Sequence, residues 1–250
     1  MNISGNTILI TGGGSGIGRG LAEALHSTGN RVVIAGRRQH ALQETVAANP
    51  GMAFQVLNVE DPAAIKMFAT KIIYDYPALN VLINNAGIMS AENLLGDPVD
   101  LSVAEATVTT NLLGPIRLTA ALLPHLRKQP ASTVMTVSSG LAFVPAARAP
   151  TYCATKAAIH SYTQSLRFQL RDTSVQVIEL VPPLVATDLQ PDQKANPRAM
   201  PLSEFISESM ALLKANPSVA EICVERVKMQ RNAEASAQYE KVFDLINPGR

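Results

Sequence analysis

The sequence predicts an α/β fold: a single Rossmann-type, doubly wound parallel sheet with helices on both faces and a helical C-terminal extension. Two observations predict it. Short apolar runs alternate along the chain with segments of helical periodicity, and a glycine-rich turn separates the first apolar run from the first helical segment. Such runs are typical of parallel strands buried on both faces, and their alternation with helices is typical of repeated βαβ units.

Six apolar runs rich in β-branched residues predict the strands, which cover residues 7–10, 31–35, 53–59, 81–84, 133–138 and 175–180. Helical patterns cover residues 18–28, 40–48, 61–76, 112–128 and 151–170 between them, and residues 202–215, 218–231 and 235–247 after them. Asp61-Pro62 is a typical helix start, with an N-cap acceptor followed by proline at the first helical position. After Leu180 we find no further convincing strand, so the last 50 residues are predicted to be helical.

The alternation stops at a proline-rich segment, residues 182–201, which follows the last predicted strand. Ligands bind outside the carboxyl ends of the strands in open α/β sheets. We therefore interpret residues 182–201 as a substrate-covering loop, and a plain surface loop is the alternative. With no linker or repeat in view, residues 1–250 are predicted to form a single dinucleotide-binding and catalytic domain, with a helical C-terminus over about 202–247.

Composition excludes several classes of function. The chain has 21 basic and 20 acidic residues, which argues against a nucleic-acid partner. Two cysteines and the absence of a signal-peptide pattern predict a reduced, cytoplasmic protein without disulfides, and no long apolar run predicts a membrane partner. The four histidines, including His160, show no carboxylate or cysteine at metal-ligand spacing, so we expect no metal.

The glycine-rich turn reads Thr11-Gly12-Gly13-Gly14-Ser15-Gly16-Ile17-Gly18. Between a first strand and a first helix, such a turn is typical of dinucleotide binding. Gly12 would permit the tight turn, Gly16 would let the backbone approach a pyrophosphate, and Gly18 would let helix and strand pack closely. The amide groups that open the helix would then face the phosphates.

The end of the second predicted strand bears on the choice of cofactor. Gly36 stands 20 residues after Gly16, where an acidic residue would bind the ribose 2′-hydroxyl of NAD, and Arg37 and Arg38 follow it. Guanidinium groups suit a phosphate, so the sequence favours NADP(H) over NAD(H). The alternative is that both arginines are ordinary solvated residues.

Further motifs resemble the classical short-chain dehydrogenase/reductase family. The turn reads TGxxxGxG, and Asn84-Asn85-Ala86-Gly87, Asn111, Ser138-Ser139 and the Tyr152/Lys156 pair follow in the family's order, over residues 5 to 190. Residues 139–145 and 182–187 are similar to the DltE-like oxidoreductase subgroup. Its role in D-alanine esterification is not carried over, because no residue here performs that chemistry.

The resemblance implies a catalytic set of Asn111, Ser139, Tyr152 and Lys156. Tyr152 would be the general acid/base, Lys156 would lower its pKa and hold the nicotinamide ribose, and Asn111 would hold a water of a proton relay. Ser139 would bind the substrate oxygen; Ser138 is its rival, but the spacing of 13 residues to Tyr152 selects Ser139. Four residues apart on a helix, Tyr152 and Lys156 share a face.

The resemblance also implies a nicotinamide dinucleotide held by Gly12, Gly14, Ser15, Gly16, Ile17, Gly18, Arg37, Arg38, Asn58, Val59, Asn85, Ala86, Gly87, Tyr152, Lys156, Pro182, Val185 and Thr187. Two positions depart from the family pattern. Asn58 stands where many relatives have the aspartate that meets the adenine amine, and Pro183 stands where a glycine is typical.

We therefore expect an NADP(H)-dependent oxidoreductase that moves a hydride between the nicotinamide and a carbonyl or secondary alcohol, as a ketone or aldehyde reductase. The alternatives are an NADP(H)-binding regulator without turnover, and an epimerase or dehydratase that recycles its cofactor. An apolar substrate is expected because the candidate pocket residues are Met89, Leu141, Phe143, Val144, Leu184 and Leu189.

The resemblance implies a homodimer formed through the tyrosine-bearing helix (151–170) and the predicted helix before it (112–128). The tyrosine helix offers small residues that would let two helices approach: Ala154, Ala157, Ala158, Ser161 and Ser165. These could equally pack on the protein's own sheet. The final strand and glycine-rich C-terminal segment through which many relatives form tetramers are expected to be absent.

Overall fold

The computed structural model describes residues 1–249 and contains one seven-stranded parallel sheet with the strand order β3-β2-β1-β4-β5-β6-β7. The strands are β1 (Thr7–Thr11), β2 (Arg31–Gly36), β3 (Ala53–Val56), β4 (Leu79–Asn84), β5 (Ser132–Val137), β6 (Val175–Val181) and β7 (Glu221–Cys223). Strand order reverses at β1/β4, so the predicted doubly wound fold is confirmed, and the reversal creates the crevice in which such folds bind ligands.

Nine α-helices flank the sheet within residues 1–249: α1 (Gly16–Ser27), α2 (Gln39–Ala47), α3 (Pro62–Asp75), α4 (Ser102–Val108), α5 (Gly114–Leu126), α6 (Pro150–Gln169), α7 (Leu202–Ala215), α8 (Lys228–Arg231) and α9 (Tyr239–Ile246). Asp61 caps α3 as its sequence predicts, because its side chain accepts hydrogen bonds from the Ala63 and Ala64 amides. No helix in this part of the chain combines the length and the apolar character needed to cross a membrane.

Two apolar clusters, one on each face, bury the sheet. Ile8, Ile10 and Val32 belong to the cluster that includes α1 and α7, whereas Leu9 and Val33 belong to the cluster beneath α3 and α5. Because successive strand residues point to opposite faces, these fully apolar runs supply both clusters at once. This explains why the strands read as continuous apolar runs in the sequence.

The C-terminal part differs from the prediction. Residues 218–231, predicted as one helix, instead form β7, a 3₁₀ turn and the short α8, and the last helix begins at Tyr239 rather than near residue 235. The expectation of no strand after Leu180 is therefore wrong. With three residues, β7 is too short for a sequence signal and exists because it pairs with β6.

The helix that follows β4 is also more elaborate than predicted. The predicted segment 112–128 is α5, and the structure adds α4 and a five-residue π-helical turn, Thr109–Leu113, in front of it. A π-turn inserts one extra residue per turn, and such turns are frequent at functional sites. Here the turn contains Asn111.

Candidate active site

The carboxyl ends of β1, β4, β5 and β6 open onto one cleft. Its cavity has a volume of about 450 Å³. One end is lined by the glycine-rich turn and the arginines after β2, and the other by Ser139, Tyr152 and Lys156. Sequence elements more than a hundred residues apart thus meet in one cavity.

The glycines of the turn fit the approach of a phosphate. Gly12 and Gly16 have φ values of +69° and +51°, a left-handed conformation that favours glycine. A Cβ on Gly18 would lie 2.3 Å from the Gly12 carbonyl oxygen, so helix α1 can approach β1 only with glycine there. The turn therefore leaves its backbone bare toward the cavity, as a dinucleotide requires.

Thr11, a turn residue that the sequence analysis left out of the predicted site, joins the turn to the next strand. Its hydroxyl accepts hydrogen bonds from the amides of Asn85 and Ala86, both at 3.1 Å. The Asn85 side chain donates in return to the Thr11 carbonyl at 3.0 Å. These bonds fix Asn85-Ala86-Gly87, which lines the cavity beside Gly12.

The arginines after β2 lie at the rim of the same cavity. Arg38 donates from Nη2 to the Ser15 hydroxyl at 2.7 Å, which places its guanidinium against the glycine-rich turn. Arg37 is paired with Glu60, whose carboxylate also accepts from the Thr110 hydroxyl at 2.9 Å. Gly36, at the position where NAD enzymes have an acidic residue, lines the cavity wall beside Arg37.

The end of β3 shows how one family position has changed. Leu57 and Val59 line the cavity. The Asn58 side chain instead accepts a hydrogen bond from the Glu60 amide at 3.1 Å, within its own turn. The predicted contact from Asn58 to a cofactor would require that hydrogen bond to be shared or broken.

Ser139 and Tyr152 lie together at the other end. The Ser139 hydroxyl lies beside the Tyr152 phenol and accepts a hydrogen bond from the Leu141 amide at 3.1 Å. Burial raises the pKa of Tyr152 to about 12, and the nearby Ser139 hydroxyl acts in the opposite direction. Ser138, the rival candidate, is buried beside them, and its hydroxyl reaches the Leu180 carbonyl at 3.5 Å.

Lys156 lies one turn further along α6. Its Nζ is 5.6 Å from the centre of the Tyr152 ring and donates to the Val137 carbonyl at 2.8 Å. Burial lowers the pKa of Lys156 to about 8, while the negative charge of Glu179 acts to raise it. A positive charge this close favours the tyrosinate form, so the pair can exchange a proton with a substrate oxygen.

Asn111 is buried behind the cavity wall. Its side chain makes a two-way contact with Ile88, accepting from the amide at 2.9 Å and donating to the carbonyl at 2.8 Å. The π-turn thus fixes the segment after β4, and Asn111 itself is not among the residues that line the cavity.

The proline-rich segment reaches over the glycine-rich turn. Pro182, Val185 and Thr187 line the cavity, and Thr187 is the side chain that a Cβ on Gly16 would meet, at 3.4 Å. Gln193 holds this part of the segment in place by donating to the Val185 carbonyl at 2.8 Å and the Thr187 hydroxyl at 3.1 Å. No sequence motif predicts this role of Gln193, because its hydrogen bonds depend on how residues 185–193 fold back on themselves.

Of the apolar pocket residues predicted from sequence, Met89 and Leu189 line the cavity. The other four predicted residues, Leu141, Phe143, Val144 and Leu184, do not line it. Phe143 packs edge-on against the His160 ring, and Val144 is fully buried against the C-terminal residues Ala233 and Val242. The sequence around Phe143 and Val144 does not indicate these contacts, because helix α9, which covers Val144, lies about 100 residues further along the chain.

The comparisons with known proteins agree with this geometry. A sequence profile described as short chain dehydrogenase matches residues 6–198, three quarters of the chain. The chain belongs to the short-chain dehydrogenase family. It is therefore an NAD(P)-dependent oxidoreductase, and the sequence prediction of that enzyme class is confirmed.

Among curated relatives of this short-chain dehydrogenase, the uncharacterized oxidoreductase DltE of Bacillus subtilis (strain 168) is 39% identical over 99% of this chain and 98% of that protein. An NADP-dependent 3-hydroxy acid dehydrogenase of Schizosaccharomyces pombe is 29% identical over 74% of each chain. The similarity to the DltE-like subgroup thus extends over the whole length.

Solved structures share the fold. A short chain dehydrogenase of Burkholderia cenocepacia in complex with NADP superposes with a TM-score of 0.82 at 22% identity and full coverage of both chains. A short-chain dehydrogenase/reductase of Burkholderia phymatum in complex with NAD gives 0.81 at 20% identity over 96% of each chain. At this identity the likeness concerns the fold alone.

Proposed function

We propose that this short-chain dehydrogenase is an NADP(H)-dependent reductase of ketones or aldehydes, which also oxidises the corresponding alcohols. The observation that supports this proposal is that Ser139, Tyr152 and Lys156 line the same cavity as the glycine-rich turn. An epimerase or dehydratase would use the same groups but recycle its cofactor, and a regulator without turnover would have no need of a buried tyrosine–lysine pair.

In the proposed reaction, bound NADPH supplies the hydride. The Ser139 hydroxyl binds the substrate oxygen and stabilises the charge that develops on it. Tyr152 gives its phenolic proton to that oxygen, and the Lys156 ammonium lowers the cost of the tyrosinate that remains. Burial keeps the Tyr152 phenol protonated at neutral pH, which suits the reductive direction.

The test is the loss of NADPH absorbance with a panel of apolar ketones and aldehydes, in which we expect net oxidation of NADPH. Product formation without net loss of NADPH would favour the epimerase or dehydratase. NADPH binding without conversion of any compound would favour the regulator.

We propose NADP(H) rather than NAD(H) as the cofactor because Arg38 lies against the phosphate-binding turn and Gly36 replaces the acidic residue of NAD enzymes. The NADP named for the S. pombe relative agrees with this choice.

Arg38→Gln should weaken NADPH binding about 10- to 150-fold, since a charge-assisted hydrogen bond contributes roughly 1.5–3 kcal/mol. NADH binding should change little, and cofactor fluorescence titration measures both. Arg19→Gln, which removes a similar arginine paired with Glu23 on the outer part of α1, is the matched control. A wild-type protein that binds NADH more tightly than NADPH would overturn the proposal.

We further propose a homodimer through α5 and α6. Ala154, Ala157, Ser161 and Ser165 are exposed on α6, so these small residues do not pack on the protein's own sheet. The argument against a tetramer loses its premise, because β7 is present. The proposal therefore concerns this helix pair alone.

Light scattering should give about 53 kDa, twice the chain's 26.6 kDa. Ala157→Arg, which places a charge in the centre of the contact, should give the monomer. Ala47→Arg, an exposed position on α2, should leave the dimer intact, because α2 packs on the opposite face of the sheet from α5. A monomeric wild type would contradict the pairing.

A further inference from the structure

Behind Lys156 lies a row of polar side chains on one face of the sheet. Thr136 on β5, Glu179 on β6 and Glu221 on β7 are neighbours in register, so their side chains point to the same face. Thr136 contacts Thr163 of α6 at 2.7 Å, and Glu179 contacts His160 of α6. The row thus crosses an otherwise apolar contact between sheet and tyrosine helix.

Glu179 is fully buried, which is rare for a carboxylate that has no partner. Its two oxygens lie 2.8 and 3.0 Å from His160 Nδ1. A carboxylate can only accept, so Nδ1 carries the proton of this contact. The expectation that His160 has no carboxylate partner is therefore wrong; the contact joins residues on different elements and leaves no trace in sequence spacing.

Glu221 has a partner of its own. Arg231 binds it through both oxygens, at 2.8 and 3.1 Å, and this pairing lowers the pKa of the Glu221 carboxyl. One ligand atom from each of His160, Glu179 and Glu221 lies within 4.8 Å of the others, as in a metal site. Every one of these atoms already has a partner in the protein, so the cluster is balanced without a metal ion.

The negative charge of Glu179 also acts on the active site. Two arginines lie nearer to Glu221: Arg231 pairs with its carboxylate, and Arg167 donates to the carbonyls of Val177 and Ala220 and adds its positive charge near Glu221. Two groups of α6 stabilise the negative charge of Glu179: the His160 N–H, which donates a hydrogen bond to it, and the Lys156 ammonium. Lys156 lies one turn before His160 on the same face of α6. Cys223 of β7 and Lys228 of α8 are further titratable groups near this cluster.

We propose that Glu179 is a positioning residue for Lys156: a buried counter-charge, held by His160, that keeps the lysine protonated in the working enzyme. Burial alone drives the ammonium toward its neutral form, and a nearby negative charge opposes that. The proton-transfer pair Tyr152–Lys156 would in this way be tuned from the sheet that lies beneath α6. The inference rests on the proposed role of Lys156.

The test is direct titration of Lys156 by NMR of the protein labelled with ¹³C at lysine Cε, without cofactor or substrate. The Lys156 signal is the one missing from Lys156→Arg. Glu179→Gln keeps an acceptor for His160 but removes the charge, and should lower the titration midpoint by about one pH unit or more. Thr163→Val, which removes a buried polar contact in the same layer without a charge, should leave it unchanged.

Activity gives the second readout. With a midpoint lowered from about 8 to about 7, reductive kcat/KM of Glu179→Gln should fall about eightfold at pH 8.5 and less than about twofold at pH 6.5. A merely structural role would lower activity equally at both pH values. Because the NMR titration needs no turnover, its result is independent of whether the chain reduces ketones.

An unchanged Lys156 midpoint in folded Glu179→Gln would overturn the inference. If Glu179→Gln does not fold, Glu179→Asp is the variant to test. It keeps the negative charge but moves it about one methylene away, so we expect a smaller lowering of the Lys156 titration midpoint. A midpoint equal to that of wild type in Glu179→Asp, together with a pH-independent loss of activity, would likewise overturn it.

Discussion

Tyr152→Phe should reduce turnover about 10²- to 10⁴-fold, the usual contribution of a general acid/base. The variant keeps the ring that packs beside Met89 and Ala149, and removes only the hydroxyl that meets Ser139. NADPH should therefore still bind with nearly unchanged affinity. Stopped-flow or steady-state oxidation of NADPH with the best carbonyl compound, combined with a cofactor titration, measures both quantities.

Tyr162→Phe is the matched control for this variant. Tyr162 lies on the same helix and is partly buried, and its burial likewise raises the pKa of its phenol, but it packs against the apolar cluster beneath α3 and α5 and does not line the cavity. It should retain turnover. If Tyr152→Phe turned over at a rate close to wild type, another group would have to supply the proton.

Gly18→Ala should weaken NADPH binding about 5- to 150-fold. A Cβ there would lie 2.3 Å from the Gly12 carbonyl oxygen and 2.4 Å from Asn85 Nδ2, so the glycine-rich turn or the Asn85 segment must move. Overpacking of this kind costs about 1–3 kcal/mol. In the cofactor-bound conformation this cost corresponds to a loss of NADPH affinity of about 5- to 150-fold, since each 1.4 kcal/mol is a factor of ten.

Gly20→Ala provides the comparison, two residues further along α1. Its Cβ would meet the side chain of Ile206 at 2.8 Å, and a side-chain end can turn away where a backbone carbonyl cannot. This variant should bind NADPH as wild type does, with a small change in thermal stability from the contact between α1 and α7. Equal cofactor affinity in the two variants would show that the close approach at Gly18 has no bearing on the site.

The sequence predicts those parts of the fold that depend on local pattern. Apolar runs place β1 to β6 to within three residues at each end, because the strands are buried on both faces. The glycine-rich turn and the four-residue spacing of Tyr152 and Lys156 similarly predict which side chains share the cavity.

The features that the sequence does not predict depend on contacts between distant segments of the chain. β7 forms only by pairing with β6, and the π-turn at Thr109–Leu113 has ordinary helical residues, so nothing in its composition marks the extra residue. The contact of His160 with Glu179 joins a helix to a strand 19 residues later. Such features follow from tertiary packing, which a one-dimensional pattern does not record.

The C-terminal segment packs against the loop that follows Ser139. The family profile ends at residue 198, yet the Gln230 side chain fills the space beside Gly140. The Asn247 side chain donates to the Pro145 carbonyl at 3.0 Å and accepts from the Ala147 amide at 2.7 Å. The loop beside Ser139 is therefore held by residues outside the region that matches the family profile. A substitution in the last 50 residues can thus act on this loop while Tyr152 and Lys156 stay as they are.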